Sequence, residues 1–174
     1  MRRAAILLCL ALSLLLAGCG FQLRGASGIP EAIQPLALKC APPVPDRICR
    51  AVKDQLTLGK VNLVSTSEAA TVLRLTNFRQ ERRANAVTER AATAEFTLRN
   101  SIELEVIAAD QTPLIATERV NTSETFDYDE TNVLAKQREE EALQQVLAQR
   151  LAQQVLFRLT PLTRTRLDAF EAPQ

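Results

Sequence analysis

An α+β sandwich, with about four mixed or mostly antiparallel strands packed against two helices, is the fold class this sequence predicts. Three observations carry it. Residues 94–107 hold Phe96, Leu98, Ile102, Leu104 and Val106 on one parity, interrupted by Asn100, with Glu95, Thr97, Arg99, Ser101, Glu103 and Glu105 on the other, the mark of a strand with one buried and one wet face. Residues 131–159 carry Leu143, Val146, Leu147, Leu151, Val155 and Leu156 at helical spacing, a stripe able to cover such a sheet. A shorter helical pattern, Ile48, Val52 and Leu56, lies ahead of both.

Taken in order, Leu36-Ala37-Leu38 forms a first strand ending near Cys40, and Pro42, Pro43 and Pro45 then interrupt regular structure by removing donors and restricting the preceding residues. Asp46 is placed to cap a helix over residues 47–58, and Gly59 to stop it. Val61, Leu63 and Ser65 form a brief alternating strand, residues 65–70 a connection, Thr71–Arg82 a longer strand, and Arg83–Ala86 a turn. After the strand over 94–107, Asp110–Pro113 reverses the chain into a partner strand near residues 114–126. Asp127, Asp129 and Glu130 put negative charge at the positive end of the last helix, and Pro161 ends it.

The chain opens with Arg2 and Arg3, runs apolar from Ala4 to Leu16 broken only by Ser13, and closes on Leu16-Ala17-Gly18-Cys19. This resembles a bacterial lipoprotein signal, which implies cleavage before Cys19, diacylation of its sulfur and acylation of the new N-terminus. Gly20, rather than aspartate, follows Cys19, which on the same resemblance implies the periplasmic face of the outer membrane. The expected organisation is a signal over 1–18, a lipid anchor and tether over 19–35, a single domain over 36–160 and a tail over 161–174.

Removing residues 1–18 leaves 156 residues with 19 basic and 20 acidic groups. That length supports one core without a metal, and a formal charge near −1 gives no case for nucleic-acid binding by bulk electrostatics. Of the four cysteines, Cys9 leaves with the signal and Cys19 is the lipid site, so Cys40 and Cys49 are the natural disulfide pair in an oxidising compartment. The chain has no histidine, which removes histidine triads and histidine metal sites and leaves a thiol metal site without further ligands. Glu139-Glu140-Glu141 is an acidic trio, but adjacent helical residues point in different directions and Lys136 and Arg138 lie beside it, so it reads as a solvated face. No catalytic residue and no cofactor is expected.

Directly after Cys19, Gly20-Phe21-Gln22-Leu23-Arg24-Gly25 resembles the mature start of the LptE family of lipopolysaccharide-assembly lipoproteins. The likeness continues through the early strand, the short helix, the alternating strands, Phe126-Asp127-Tyr128-Asp129 and the helix with Glu139–Glu141 and Leu143. It implies a two-helix, four-stranded sandwich that plugs an LptD-like outer-membrane β-barrel, supports its assembly and assists insertion of lipopolysaccharide into the outer leaflet, without enzymatic activity. The proline stretch and the internal cysteines have no secure counterpart in the family pattern. For lipopolysaccharide phosphates and acidic sugars, Arg79, Arg82, Arg83 and Arg90, flanking the expected turn, are the most coherent basic cluster, which Arg74 and Arg99 would broaden. Phe21, Leu23 and Arg24 are candidates for seating the domain against its partner. The rival function is an outer-membrane lipoprotein acting as an envelope scaffold or export-complex accessory without lipopolysaccharide binding.

Overall fold

The computed structural model describes residues 28–87, 93–127, 133–164 and 167–168. Four strands, β1 (Leu36–Cys40), β2 (Thr71–Val87), β3 (Thr93–Ala108) and β4 (Pro113–Asp127), form one sheet in sequence order. Helix α1 (Asp46–Leu58) lies between β1 and β2, and α2 (Val133–Leu159) follows β4. Strands β1 and β2 are parallel, so a crossover must join them, and α1 supplies it. The other two pairings are antiparallel, and the sheet is therefore mixed.

Both helices cover the same face. On β3 the expected parity holds: Leu98, Ile102, Leu104 and Val106 are fully buried, and the last three meet Ile48, Val52 and Leu56 of α1 with Leu151, Val155 and Leu159 of α2. Val146, expected in the stripe of α2, is exposed, and the small residues Ala148 and Ala152 take part in the buried line instead. The core reaches beyond the expected domain limits. Ile29 and Ile33 enter it from the stretch expected as tether, and Leu162 from the expected tail.

Several local expectations change. Asp46 is the first residue of α1 rather than its cap; Pro45 holds the cap position, and no side chain caps the helix, so the Asp46 charge acts only on the first turn. Gly59 does stop α1, its N–H donating to the carbonyl of Gln55 at 3.0 Å. Residues 61–65 form no strand: Lys60 adopts a left-handed φ of 57°, and only Leu63 bridges to Leu36. Strand β2 continues through Arg83–Ala86, the expected turn, with a register irregularity between Ala84 and Ala86. Asp127 ends β4, whereas Asp129 and Glu130 lie outside the described residues.

A bulge in β2 organises everything beyond it. Thr76 lies opposite Glu103 and Arg79 opposite Ser101, so Asn77 and Phe78 together face Ile102, and Asn77 has a φ of 50°. Two residues against one shift the side-chain alternation by one place. Before the bulge Thr71, Leu73 and Leu75 face the helices; beyond it Gln80, Arg82 and Ala84 do.

The helix-covered face holds two apolar clusters, the main core and a smaller one of Leu98, Phe126 and Leu147 with Phe96 and Leu143 against it. Asn100 sits on β3 between them, fully buried, and neither its Oδ1 nor its Nδ2 hydrogen-bonds to another protein group. A buried polar side chain without a partner costs about 1–3 kcal/mol. Asn100→Val, which also suits a strand, is therefore expected to raise stability by about that amount, read as a higher urea midpoint with an unchanged denaturant slope.

Candidate functional site

The face of the sheet away from the helices has no covering layer among the described residues. Alternation makes it polar: Arg79, Glu81 and Arg83 from β2, Thr97, Arg99 and Ser101 from β3, and Asn121, Ser123 and Thr125 from β4 share this face through the cross-strand register. Its two ends differ in charge pairing. Toward β1, Arg74 binds Glu105 at 2.9 Å and Arg119 pairs with Glu103. Hydrogen bonds from Asn77 and Arg119 outweigh an opposing desolvation and, with the charges of Arg119 and Arg79, hold the Glu103 carboxyl below the usual carboxylate range.

Farther along, the twisted sheet forms an open recess of about 380 Å³ lined by Glu81, Arg83, Asn85, Thr97, Arg99 and Asn121 with Ser123. Arg83 and Arg99 are exposed there. Neither makes an ion pair or side-chain hydrogen bond among the described residues. Hydroxyl and amide groups surround them, and Thr97 and Thr125 share a hydrogen bond of 3.0 Å. Two guanidinium groups, set among hydroxyl and amide groups with the single carboxylate of Glu81 in the lining, suit a phosphorylated or acidic saccharide, which arginine engages through paired N–H groups.

The sheet divides the arginine cluster expected from sequence. Arg79 and Arg83 lie on the uncovered face. Arg82, opposite Leu98, lies on the helix face, where its guanidinium stands 3.8 Å from the Phe96 ring centre and 3.5 Å from Glu140 of α2. It joins the sheet to the helix. Arg90 lies outside the described residues, as do Cys19, Phe21, Leu23 and Arg24. Sequence reading named Arg99 as a possible extension of the cluster but missed the polar groups around it. The odd parity of β3 carries that signal, and the register of β4 completes it.

Cys40 and Cys49 are joined, with Cα atoms 6.2 Å apart, so the exit of β1 is tied to α1 as expected. The acidic trio is dispersed: Glu139 pairs with Lys136 at 2.8 Å and Glu140 with Arg82. Among the described residues no three acidic or cysteine side chains gather as a metal site, and no helix is long and apolar enough to cross a membrane.

A two-layer α+β domain with one face sealed by helices and the other a polar surface is built for association. Its fold is that of solved bacterial lipoproteins: rare lipoprotein B from Shewanella oneidensis superposes with a TM-score of 0.63 at 22% identity, over 77% of this chain and 97% of that one. Lipoprotein B from Nitrosomonas europaea gives 0.65 at 20% identity, over 79% and 88%. The chain belongs to the LptE family, described as lipopolysaccharide-assembly, whose profile matches residues 32–159. It is 31% identical to the LPS-assembly lipoprotein LptE of Yersinia enterocolitica over 91% of this chain and 77% of that one. To the protein of the same name from Pectobacterium atrosepticum it is 29% identical, over 99% and 97%. Its role is in lipopolysaccharide assembly.

Proposed function

We propose that this chain is a non-enzymatic lipoprotein, anchored through Cys19 at the periplasmic face of the outer membrane, that plugs an LptD-like β-barrel, supports its assembly and hands lipopolysaccharide toward the outer leaflet. The observation that carries this reading is the uncovered polar sheet face. Barrel interiors are polar, and a face of hydroxyl, amide and paired charged groups can meet such a wall without leaving apolar surface in water. The lipid anchor raises the local concentration of the domain at the membrane that holds the barrel.

Expression of the full lipoprotein at native level with a C-terminal tag, followed by gentle solubilisation, is expected to recover the LptD-like barrel. Recovery of other envelope proteins without the barrel, from cells where the barrel is present and folded, rejects the partnership and favours an envelope scaffold.

Direct contact with lipopolysaccharide falls to Arg79 and Arg83 with Arg99, and to Arg90 next along the chain, whereas Arg82 serves to hold α2. A charged hydrogen bond contributes about 1.5–3 kcal/mol, which is about tenfold or more in affinity. Arg83→Ala with Arg99→Ala is expected to weaken binding of purified lipopolysaccharide at least tenfold while complex formation persists. Unchanged binding by a folded double variant removes the recess from the contact.

A further inference from the structure

On the helix side, where α1 and α2 end next to each other, lies an apolar groove of about 360 Å³ lined by Ile29, Leu58, Leu156 and Phe157 and by Gly28, the first described residue. Leu58 is 75% exposed and Phe157 70% exposed. Both sit on ordered helices whose other faces are committed to the core, so their exposure is a property of the folded domain. Large apolar side chains grouped around a groove mark a surface that is covered in use.

What covers it is indicated by where the chain leads. Gly28 itself lines the groove, so the preceding chain joins the described domain at that groove. Those residues include Phe21-Gln22-Leu23-Arg24. Alternate side chains share a side in extended backbone, so the spacing of Phe21 and Leu23 lets both enter one groove, with Gln22 and Arg24 on the opposite parity. Leu23 precedes Gly28 by five residues and Phe21 by seven, spans of at most about 17 and 24 Å at about 3.4 Å per residue. Either reaches a groove that begins at Gly28. A ligand supplied by the same chain arrives at millimolar effective concentration, ahead of any partner in solution.

We propose that Phe21 and Leu23 dock into this groove against Leu58 and Phe157 of the same chain, leaving Gln22 and Arg24 toward water. This gives the opening motif a structural duty that the lipid anchor alone does not explain. With Cys19 acylated, a clause that rests on the function proposed above, docking leaves Gly20 as the single residue between the lipid and a fixed point on the domain. The domain is then held close to the bilayer with the ends of both helices toward it, by a link shorter than the eight residues, 20–27, that separate Cys19 from Gly28.

The chain contains no tryptophan, so Phe21→Trp in the full lipoprotein, purified alone in mild detergent, provides a single reporter whose signal does not depend on the barrel. Docking predicts blue-shifted emission that moves to the red when Leu58→Ser and Phe157→Ser are added. Leu23→Ser, which alters no residue of the main core, is expected to shift it the same way. Red emission in the Phe21→Trp protein itself overturns the proposal. Blue emission that survives Leu58→Ser with Phe157→Ser also overturns it, assigning the residue to detergent or lipid, and emission that depends on protein concentration assigns the groove to a second copy. Loss of barrel recovery with docking intact strikes the proposed function and leaves this inference standing.

Discussion

Leu151→Ala is expected to lower the stability of the domain by about 3–4 kcal/mol, within the range for leucine truncation at a fully buried position. Leu151 has no exposed surface and lies in the main core on α2. Truncation removes transfer free energy and leaves a void between two layers that cannot both close on it, because each is fixed by its own backbone hydrogen bonds. For a domain of this size the melting temperature falls by about 10 °C, and the urea midpoint falls with little change in slope. Leu134, on the same helix but 74% exposed, is the comparison: Leu134→Ala is expected to stay within about 0.5 kcal/mol of the parent. Equal losses at the two positions would contradict the assignment of which side of α2 faces the sheet.

That assignment was largely legible before any coordinates, and the reason is periodicity. The even residues of β3 and the i, i+3, i+4 series of α2 each declare a buried side. The paired cysteines declare a link between β1 and α1. What escaped sequence reading escaped for specific physical causes. The distal half of β2, Gln80-Glu81-Arg82-Arg83-Ala84-Asn85, has almost no apolar residues to alternate, because the buried side of that stretch is supplied by its neighbours Phe96, Leu98 and Phe126 and by the Arg82 guanidinium lying over a ring. Its end, Arg83–Ala86, therefore resembled a turn. The short alternation at Val61 and Leu63 resembled a strand, yet the left-handed backbone at Lys60 and a single bridge to Leu36 leave no ladder to extend.

The candidate site shows the same division. Adjacent arginines on a strand must point to opposite faces, so Arg82 and Arg83 could not both belong to one patch once the turn proved to be strand. Which of them faces outward depended on the bulge at Asn77 and Phe78, and a one-residue insertion in register leaves no compositional trace. With the bulge in place, Arg83 lies on the same face as Arg99, and Arg82 meets Glu140. The uncovered face thus has neutralised pairs at one end, Arg74 with Glu105 and Arg119 with Glu103, and at the other the guanidinium groups of Arg83 and Arg99, which have no ion-pair partner among the described residues. A polar surface graded in this way can lie against a neutral wall at one end and receive an anion at the other.

Cys40→Ser with Cys49→Ser is expected to cost about 2–3 kcal/mol, the loop-closure entropy restored to the unfolded chain when a link across nine positions is lost. The mechanism differs from that of Leu151→Ala, since the folded packing stays as it is and the reference state changes. The melting temperature should fall by about 5–10 °C, and the denaturant slope should rise because the unfolded chain becomes more expanded. Reductant gives the internal control: it should lower the midpoint of the parent to that of the double variant and leave the variant unmoved. A parent insensitive to reductant under conditions that open the bond would mean that the link adds nothing to stability. The local effect has its own address. β1 is an edge strand paired along its length with β2 and bridged on its other side at Leu36 by Leu63, and its last residue is Cys40, so the link fixes that end to α1 while Leu36 and the buried Ile33 fix the other. Faster amide exchange in β1 than in β3 after reduction is the expected signature, because β3 is paired along both sides and β1 along one, with a single bridge on the other.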